Sequence, residues 1–358
     1  MFLNRLEVHD FRNLESVDLE LGPGLNLFVG DNGAGKTALL EAVHVLGKGR
    51  SFRTHRVRNL VRSGTTQLVV RGVVQGDTGQ KHTLAMSKSL REGTRLKLDG
   101  DPQRQLSRIA AHLPLQLMLP DVADLVFGPP SERRQFLDWG LFHVKHAYHG
   151  WLRDYLRLLK QRNAWLRSGE AEKSPDVWAP AMSALAADIH LSRHAYCLEL
   201  GARLDQTVGR LGMQLNLTLR YEPGWKAEDN GENLGNVMAE CLPRDVKSGS
   251  TQYGPHRADF VVVSGDLQAS QIISRGQGKV VSSALNVSQA EVLLAESGQR
   301  SVFLIDDLGA ELDRKRSSRF FELLEQMGCQ ILATALETPS GLGDGAMFHV
   351  KHGAVNRE

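Results

Sequence analysis

Length, composition and charge describe an ordinary globular chain and exclude several other classes. The 358 residues exceed what one small core requires and suffice for two lobes. Hydrophobic residues make up 41% and charged residues 23%, a balance that excludes a disordered or fibrous protein. Charges interrupt the N-terminal segment, and no window reaches the roughly 18 apolar residues of a membrane span. Three cysteines without CxxC spacing predict neither disulfides nor a zinc site. We therefore expect a soluble cytoplasmic protein without a membrane partner.

The net charge is only +2, but the charges are unevenly distributed. No acidic residue occurs from Ala42 to Gly76, and the basic residues of this stretch are Lys48, Arg50, Arg53, Arg56, Arg58, Arg62 and Arg71. We predict that a surface centred on Arg53, Arg56 and Arg58 contacts DNA phosphates independently of base sequence. A solvated surface, or pairing with acids elsewhere in the fold, is the alternative. A lesser candidate is the basic helix face with Arg153, Arg157, Lys160 and Arg167.

Hydrophobic periodicity predicts an α/β body interrupted by helices. The predicted strands lie, in chain order, around Leu3, Leu6 and Val8, at Leu25–Val29, Gln67–Val74, Thr83–Met86, Val302–Ile305 and Gln330–Ala333. A helix is predicted to begin near Lys36 and to end around Gly47 and Gly49. Apolar residues recur at helical spacing over Trp151–Leu166 and Leu185–Leu211, which predicts an inserted helical hairpin.

The segment GDNGAGKT matches the phosphate-binding P-loop pattern GxxxxGK[ST] and lies between a predicted strand and a predicted helix. Its residues, all predicted to bind nucleotide, are Gly30, Asp31, Asn32, Gly33, Ala34, Gly35, Lys36 and Thr37. Backbone N–H groups of such a loop turn toward the phosphates, and the helix N-terminus adds a favourable dipole. We therefore predict ATP as ligand, with Lys36 reaching its β- and γ-phosphates and the Thr37 hydroxyl ligating Mg²⁺.

Two aspartates, Asp306 and Asp307, follow the apolar run Val302–Ile305 as in a Walker B motif. Ligands of an open α/β sheet bind at the carboxyl ends of its strands. Asp306 is therefore predicted to hold Mg²⁺ opposite Thr37, and Asp307 to orient or polarise the attacking water. Together with Lys36 these two aspartates are the predicted catalytic residues. Taken alone, the run is equally explained by a strand followed by a polar turn.

The segment ISRGQGK, which begins at Ile273, resembles the LSGGQ signature of ABC-type ATPases. Ser274, Gly276 and Gln277 are predicted at a helix N-terminus, where backbone amides favour an anion, and thus to bind nucleotide. We expect the signature of one copy to cap the P-loop of a second copy, so that ATP holds a homodimer together.

The order P-loop, signature, Walker B and a D-loop at Glu311, Leu312 and Asp313 is specific to ABC-type heads. The predicted fold class is α/β: an ABC-type ATPase head, with a mixed sheet and the P-loop in lobe I, plus a mainly helical lobe II insertion. We place the N-terminal part of lobe I at residues 1–118, helical lobe II at 119–250, and the signature, Walker B and C-terminal part at 251–358.

Four further motifs are more specific than the P-loop, namely FRNL at Phe11–Leu14, GRSFRTHR at Gly49–Arg56, SERRQFLDW at Ser131–Trp139 and GPHRADF at Gly254–Phe260. Together they resemble the RecF family, bacterial recombination-repair ATPases with heads similar to those of SMC proteins. The resemblance covers most of the chain. It implies ATP-dependent DNA binding and dimerisation, weak DNA-stimulated ATP hydrolysis, and a role in DNA replication restart, DNA damage and the SOS response. It also implies cooperation with RecO and RecR in loading RecA at single-stranded gaps and duplex junctions.

Some positions depart from the common ABC pattern or stay outside it. Asp307 stands where many heads carry glutamate, and Thr334 stands in place of a histidine, so we expect slow turnover. Gln116 is a candidate for the Q-loop glutamine. The pentapeptide FHVKH occurs at Phe142–His146 and Phe348–His352; we predict no structural repeat and favour structural or accidental roles over metal binding.

Two other functions remain open on sequence grounds. One is the ATPase subunit of an ABC transporter, although transporter heads do not normally carry GRSFRTHR or GPHRADF. The other is a clamp that binds ATP structurally and hydrolyses it only incidentally.

Overall fold

The computed structural model of the chain describes residues 1–76, 79–119, 124–226, 233–308, 313–338 and 345–358. Its strands are β1 (Phe2–Phe11), β2 (Leu14–Glu20), β3 (Leu25–Val29), β4 (Gln67–Gln75), β5 (Lys81–Ser89), β6 (Gly93–Leu98), β7 (Asp101–Gln103), β8 (Leu115–Met118), β9 (Thr218–Glu222), β10 (Asp259–Ser264), β11 (Leu267–Gln268), β12 (Val302–Ile305), β13 (Gln330–Ala335), β14 (Ala346–Lys351) and β15 (Ala354–Arg357). Its α-helices are α1 (Lys36–Lys48), α2 (Ser107–Ala110), α3 (Asp124–Phe127), α4 (Pro130–Val144), α5 (His146–Arg167), α6 (Ala179–Arg210), α7 (Leu234–Ser248), α8 (Ala269–Ile272), α9 (Arg275–Ser297) and α10 (Arg314–Gln326).

The chain divides into two compact units. Unit 1 comprises Met1–Val122 and Leu293–Glu358, and unit 2 comprises Ala123–Val292. The signature segment therefore belongs to unit 2 in this division, whereas the sequence-based boundaries group it with the C-terminal part of the head.

Unit 1 contains two six-stranded sheets. The first has the order β2-β1-β4-β5-β6-β7 with antiparallel neighbours throughout. The second has the order β15-β14-β3-β13-β12-β8 and is mixed, because only its β14–β15 pair is antiparallel. Fully buried strands such as β12 read as unbroken apolar runs, which is typical of parallel sheets and made this strand predictable.

Helix α1 is at the centre of the core of unit 1. Every residue from Ala38 to Gly47 is buried, and the helix contacts strands of both sheets. Helices that are apolar on all sides are buried on all sides, which explains this position. Gly49 ends the helix in a left-handed conformation, with φ of 70°, and donates its N–H to the carbonyl of Val45. The predicted start and end of this helix are confirmed.

Unit 2 is mainly helical, with a small three-stranded sheet of order β11-β10-β9. The two predicted helices of the inserted hairpin are confirmed as α5 and α6, which pack against each other. Helices α4 and α7 and the small sheet escaped prediction. Helix α7 contains Pro243, which argues locally against a helix, and strand β11 has only two residues.

The motifs SERRQFLDW and GPHRADF interlock in unit 2 through arginines. Arg133 makes two hydrogen bonds to the Asp259 carboxylate, at 2.7 and 2.8 Å. Buried Arg193 donates to Asp138 at 2.7 Å and to the carbonyl of Pro255 at 2.7 Å. Loss of one partner from a buried charge pair leaves an uncompensated charge, at a cost of about 3–5 kcal/mol. These motifs therefore have a structural role at the centre of unit 2.

The two FHVKH copies adopt different structures. The first spans the end of α4 and the start of α5, where the His143 ring packs against Trp139 with centroids 4.6 Å apart. The second lies in β14 and the turn after it, where Phe348 stacks on Phe28 at 5.2 Å. The prediction that FHVKH is not a structural repeat is confirmed.

Within the described part of the chain, no helix combines the length and apolar character needed to cross a bilayer.

His256, in GPHRADF, should make folding pH-dependent. Its Nδ1 faces the Tyr155 hydroxyl at 2.8 Å, and its Nε2 faces the Thr251 carbonyl at 3.0 Å. Burial raises the pKa of Tyr155, which therefore stays protonated and donates to Nδ1 of a neutral imidazole. Burial lowers the pKa of His256 to about 4, and the Arg257 and Arg134 charges act in the same direction.

We expect the free energy of unfolding to fall as the pH drops from about 6.5 to about 4. In that window the unfolded chain binds a proton at His256 that the folded chain does not, at a cost of about 3 kcal/mol. Urea unfolding of the His256→Gln variant across this range should show a shallower pH dependence. His146→Gln, at an exposed position of unit 2, is the matched control. Equal slopes for the His256→Gln variant and the unmodified chain would contradict the prediction.

Candidate nucleotide-binding site

The P-loop connects β3 to α1, and the side chain of Lys36 bonds back to the start of the loop. Lys36 Nζ donates to the carbonyls of Gly30 at 2.5 Å and Asp31 at 2.9 Å. Gly33 and Gly35 have φ angles of 78° and 121°, which residues with a Cβ rarely adopt. The sequence GDNGAGKT therefore folds into the loop that its pattern predicts, with an ammonium group held over it.

The turn between β14 and β15 supports the P-loop from behind. Gly353 N–H donates to the Ala34 carbonyl at 2.8 Å. A Cβ at Gly30 would lie 2.2 Å from the Val350 carbonyl oxygen, so the two backbones are in direct contact. This contact requires glycine at Gly30 for reasons separate from phosphate binding. Sequence reasoning missed it, since nothing in the second FHVKH segment indicates a strand beside β3.

Asp306 lies at the carboxyl end of β12 and joins α1 to β13. Thr37 Oγ1 donates to its carboxylate at 2.9 and 3.2 Å, and Thr334 Oγ1 donates to it at 2.8 Å. Because β12 and β13 are parallel neighbours, their carboxyl ends meet at one edge of the sheet and bring these side chains together. The predicted proximity of Thr37 and Asp306 is therefore present in the fold.

Asp307 is exposed and has a positive φ of 58°. Its N–H donates to Thr334 Oγ1 at 2.8 Å, so the threonine hydroxyl bonds both aspartates at once. Non-glycine residues in this conformation are strained by about 1–3 kcal/mol and cluster at functional sites. The Thr334 bond maintains the conformation that turns the Asp307 side chain outward.

These groups line a cavity of about 630 Å³ in unit 1. The predicted site residues along its wall are Asn32, Gly33, Gly35, Lys36, Thr37, Arg53, Asp306 and Asp307. Its wall also contains Arg12, Asn13 and Thr334, to which sequence reasoning assigned no ligand contact. The predicted residues Gly30, Asp31 and Ala34 belong to the loop but are not in the cavity wall.

Arg12 is held in the cavity wall by a buried carboxylate. Its guanidinium donates to both oxygens of Glu41, at 2.9 and 2.7 Å, and Glu41 is fully buried in α1. The Ser51 hydroxyl donates to the same carboxylate and accepts the N–H of Arg53 at 2.8 Å. The FRNL motif, helix α1 and the GRSFRTHR motif are thereby joined. The available signal was the single acid of α1, in the middle of a mainly apolar run.

The signature residues form the start of α9 in unit 2, as predicted. Ser274 Oγ accepts the N–H of Gln277 at 3.2 Å, and Gln277 Oε1 accepts the N–H of Ser274 at 2.8 Å. This reciprocal pair is a capping box, and Ser274 and Gly276 are exposed. A Cβ at Gly278 would lie 2.2 Å from the Phe127 ring, a close contact that the LSGGQ resemblance did not indicate.

The predicted DNA-binding arginines are exposed and unpaired. Arg53, Arg56 and Arg58 have no acidic side-chain partner among the described residues, whereas Arg62 and Arg71 pair with Glu15 and Glu7. Only Arg53 of the three lines the cavity. In the basic face of α5, Arg153 and Arg157 share Asp154, and Arg167 donates to the Gly249 carbonyl. The first surface therefore has more uncompensated charge.

Other predicted residues lie away from the cavity or outside the description. Gln116 is buried within β8 and is not in the cavity wall. Glu311 and Leu312 of the D-loop lie outside the described residues, while Asp313 caps α10 by accepting the N–H of Arg316. No His, Cys, Asp and Glu cluster with a metal-binding arrangement occurs among the residues described.

A P-loop, a capped signature helix and a Walker B strand on a mixed sheet define the ABC-type class of ATPase heads. A family model, RecF/RecN/SMC N terminal domain, matches residues 2–352. The DNA replication and repair proteins RecF of Stutzerimonas stutzeri and Pseudomonas paraeruginosa are each 37% identical over 100% of this chain and 98% of their own. The chain therefore belongs to the RecF family.

Solved structures agree with this assignment. The structure of the recombination mediator protein RecF-ATP in the RecFOR pathway has a TM-score of 0.88 at 28% identity and covers 100% of this chain and 97% of that one. A SMC head bound to the C-winged helix domain of ScpA has a TM-score of 0.61 at 14% identity, with the same coverages, and shows the shared fold. These relatives do not favour a transporter subunit.

Thr334→Val should slow ATP hydrolysis, because it removes the hydroxyl that bonds Asp306 and Asp307. Losing a hydrogen bond to a charged group costs about 1.5–3 kcal/mol, which corresponds to roughly a 10- to 100-fold lower kcat. Thr334→Ser keeps the hydroxyl and should retain most activity. Steady-state hydrolysis measured for both variants checks this, and equal rates for Val and Ser would rule out a role of the hydroxyl.

Proposed function

We propose that this chain is an ATP-dependent DNA-binding protein of recombinational repair and replication restart, whose ATP state controls a dimer on DNA. The observation that carries the proposal is the Thr37–Asp306 contact beside Lys36, in a cavity whose wall also contains the unpaired Arg53. A nucleotide site and a basic surface thus meet in one unit. The RecF relatives are DNA replication and repair proteins, and one solved relative is described as RecF-ATP.

ATP is the proposed ligand of the cavity. Lys36 is buried, and among the described residues its ammonium bonds only the carbonyls of Gly30 and Asp31. An anionic phosphate can replace these neutral acceptors and form an ion pair with the ammonium. The P-loop amides and the N-terminus of α1 favour the same anion. Arg12, fixed by Glu41, adds a second cation to the wall. Residues Gly30 to Thr37 together bind the phosphates in this proposal.

The oxygen atoms of Thr37 and Asp306 suit Mg²⁺, which prefers hard oxygen ligands. When bound, Mg²⁺ neutralises charge on the β- and γ-phosphates. Thr334 holds the Asp306 carboxylate in place from the side of β13.

Asp307 is the proposed group that orients the attacking water. Its exposed side chain lies in the cavity wall, and its backbone is fixed by Thr334. Aspartate has one methylene fewer than the glutamate of many ABC-type heads and reaches less far. We therefore propose slow hydrolysis, and we propose that DNA stimulates it because the RecF resemblance implies this. The alternative is a clamp that binds ATP structurally and hydrolyses it only incidentally. Hydrolysis that stays weak when DNA is added would favour this clamp.

DNA phosphates are the proposed ligands of Arg53, Arg56 and Arg58, since free arginines on a surface without acids bind polyanions. Single-stranded gaps and duplex junctions are the proposed sites. RecR and RecO are the proposed partners in loading RecA, following the pathway named for the solved relatives. We also propose a cytoplasmic location, and lobes at residues 1–118, 119–250 and 251–358.

Lys36→Ala should lower ATP hydrolysis by about 100-fold, because it removes a charge that acts on the transferring phosphate. It should also abolish the gain in affinity for gapped DNA that ATP confers. Lys81→Ala, at an exposed lysine of the same unit, is the matched control. Hydrolysis and DNA binding by fluorescence anisotropy, with and without ATP, check both effects. Full hydrolysis by a folded Lys36→Ala protein would refute the site.

Ser274→Arg should prevent ATP-dependent dimerisation while single-chain ATP binding remains. The proposal is that the signature of one copy, with Ser274, Gly276 and Gln277, caps the P-loop of the other, so a bulky cation there blocks closure. Ser297→Arg, at the exposed far end of α9, is the control. Asp307→Asn should slow hydrolysis and let the dimer accumulate. Light scattering with ATP and with ADP measures the mass; a mass independent of nucleotide would exclude this mechanism.

A further inference from the structure

We infer that the DNA-binding surface extends from the GRSFRTHR motif onto a second basic segment, RQLSR, which begins at Arg104 and ends at Arg108. This inference rests on the proposed function and deepens it. The segment connects β7 to α2 and contains no acidic residue. Both arginines are exposed, and neither forms an ion pair within the described part of the chain. None of the sequence motifs includes them.

Leu106 joins the two basic segments. A Cβ at Gly49 would lie 2.3 Å from Leu106 Cδ2, so the leucine side chain packs onto the glycine backbone. Gly49 is the first residue of GRSFRTHR and ends α1. The arginines at Arg104 and Arg108 are each two residues from Leu106, within about 7 Å along the chain. The RQLSR segment therefore lies against the residue at which GRSFRTHR begins.

Both segments are fixed to the core of unit 1 by buried contacts. Ile109 follows Arg108 and is fully buried, and α2 contacts α1. On the other side, Ser51 bonds the buried Glu41 and accepts the N–H groups of Arg53 at 2.8 Å and Thr54 at 3.0 Å. Hence the backbone of each segment is already in place in the free protein.

The acid nearest to RQLSR in sequence is the exposed Asp101, and two other acids of unit 1 are already engaged. Glu41 is bonded by Arg12 and Ser51, and Asp99 by His82 at 2.8 Å. Exposed arginines without acidic partners give a positive potential that attracts a polyanion. DNA is the occupant that this argument selects, because the RQLSR segment continues a surface already proposed to bind phosphates. Its contacts should be with the backbone and independent of base sequence.

The test is the salt dependence of DNA binding by the full chain with ATP and Mg²⁺. Each lost phosphate contact reduces the slope of log affinity against log salt by about one unit. The Arg104→Ala/Arg108→Ala variant should therefore lose about two units of slope, and its affinity should fall about tenfold or more at low salt. ATP binding should be unchanged, because neither arginine lines the cavity.

Arg91→Ala/Lys97→Ala is the matched control, since it removes the same charge from β6 and the turn before it in the same unit. Both side chains are exposed, and neither forms an ion pair with another described residue. It should change the slope by less than half a unit. Arg104→Lys/Arg108→Lys keeps the charge and should retain the slope. If the Arg104→Ala/Arg108→Ala variant has the same slope as the unmodified chain, the inference is wrong. This holds even if an acidic protein is found to bind the segment.

The same measurements separate this inference from the proposed function. If the unmodified chain shows no ATP-dependent DNA binding, the proposed function itself fails. If Arg53→Ala/Arg56→Ala/Arg58→Ala lowers the slope while the Arg104 and Arg108 changes do not, only the extension fails. Additive slope losses in the five-arginine variant are the expected result for one continuous surface.

Discussion

The Asp306 carboxylate is the interaction on which the site of unit 1 depends. It accepts hydrogen bonds from Thr37 at the start of α1 and from Thr334 at the end of β13. A carboxylate in a partly buried position must be compensated by such donors, and here each donor belongs to a different element. The Thr334 hydroxyl also accepts the N–H of Asp307, so the same hydrogen-bond network includes the next residue of the chain. Loop, helix and two strands are therefore positioned by a single charged group.

The second constraint is the close approach of backbones around the P-loop. Gly30 faces the Val350 carbonyl, and the Gly353 N–H bonds Ala34. These contacts place the β14–β15 hairpin against the loop, although the hairpin contributes no residue to the cavity wall. The conformation of the P-loop therefore depends on residues far away in sequence, in the β14–β15 hairpin.

The parts that sequence could predict are those where local pattern and tertiary environment agree. Strand β3, strand β12 and helix α1 carry apolar runs because they are buried on all sides, and their motifs lie at their ends. The strand β14 could not be predicted, since the same pentapeptide FHVKH is largely helical at Phe142–His146. There the neighbouring strand β3, far away in sequence, decides the conformation. Arg12 was likewise missed, because its role depends on Glu41 in another element.

Arginine has two roles in this chain that composition does not distinguish. Arg133 and Arg193 lie in unit 2 with carboxylate partners and hold motifs together. Arg53 and Arg108 lie in unit 1, exposed and without such partners among the described residues. A net charge of +2 averages over both kinds. The charge proposed to act on DNA is the uncompensated part, and in unit 1 it lies in segments that contain no acidic residue. The lack of acidic residues between Ala42 and Gly76 indicated the first part of the proposed surface in the sequence. The contact between Gly49 and Leu106 adds the second part, the RQLSR segment.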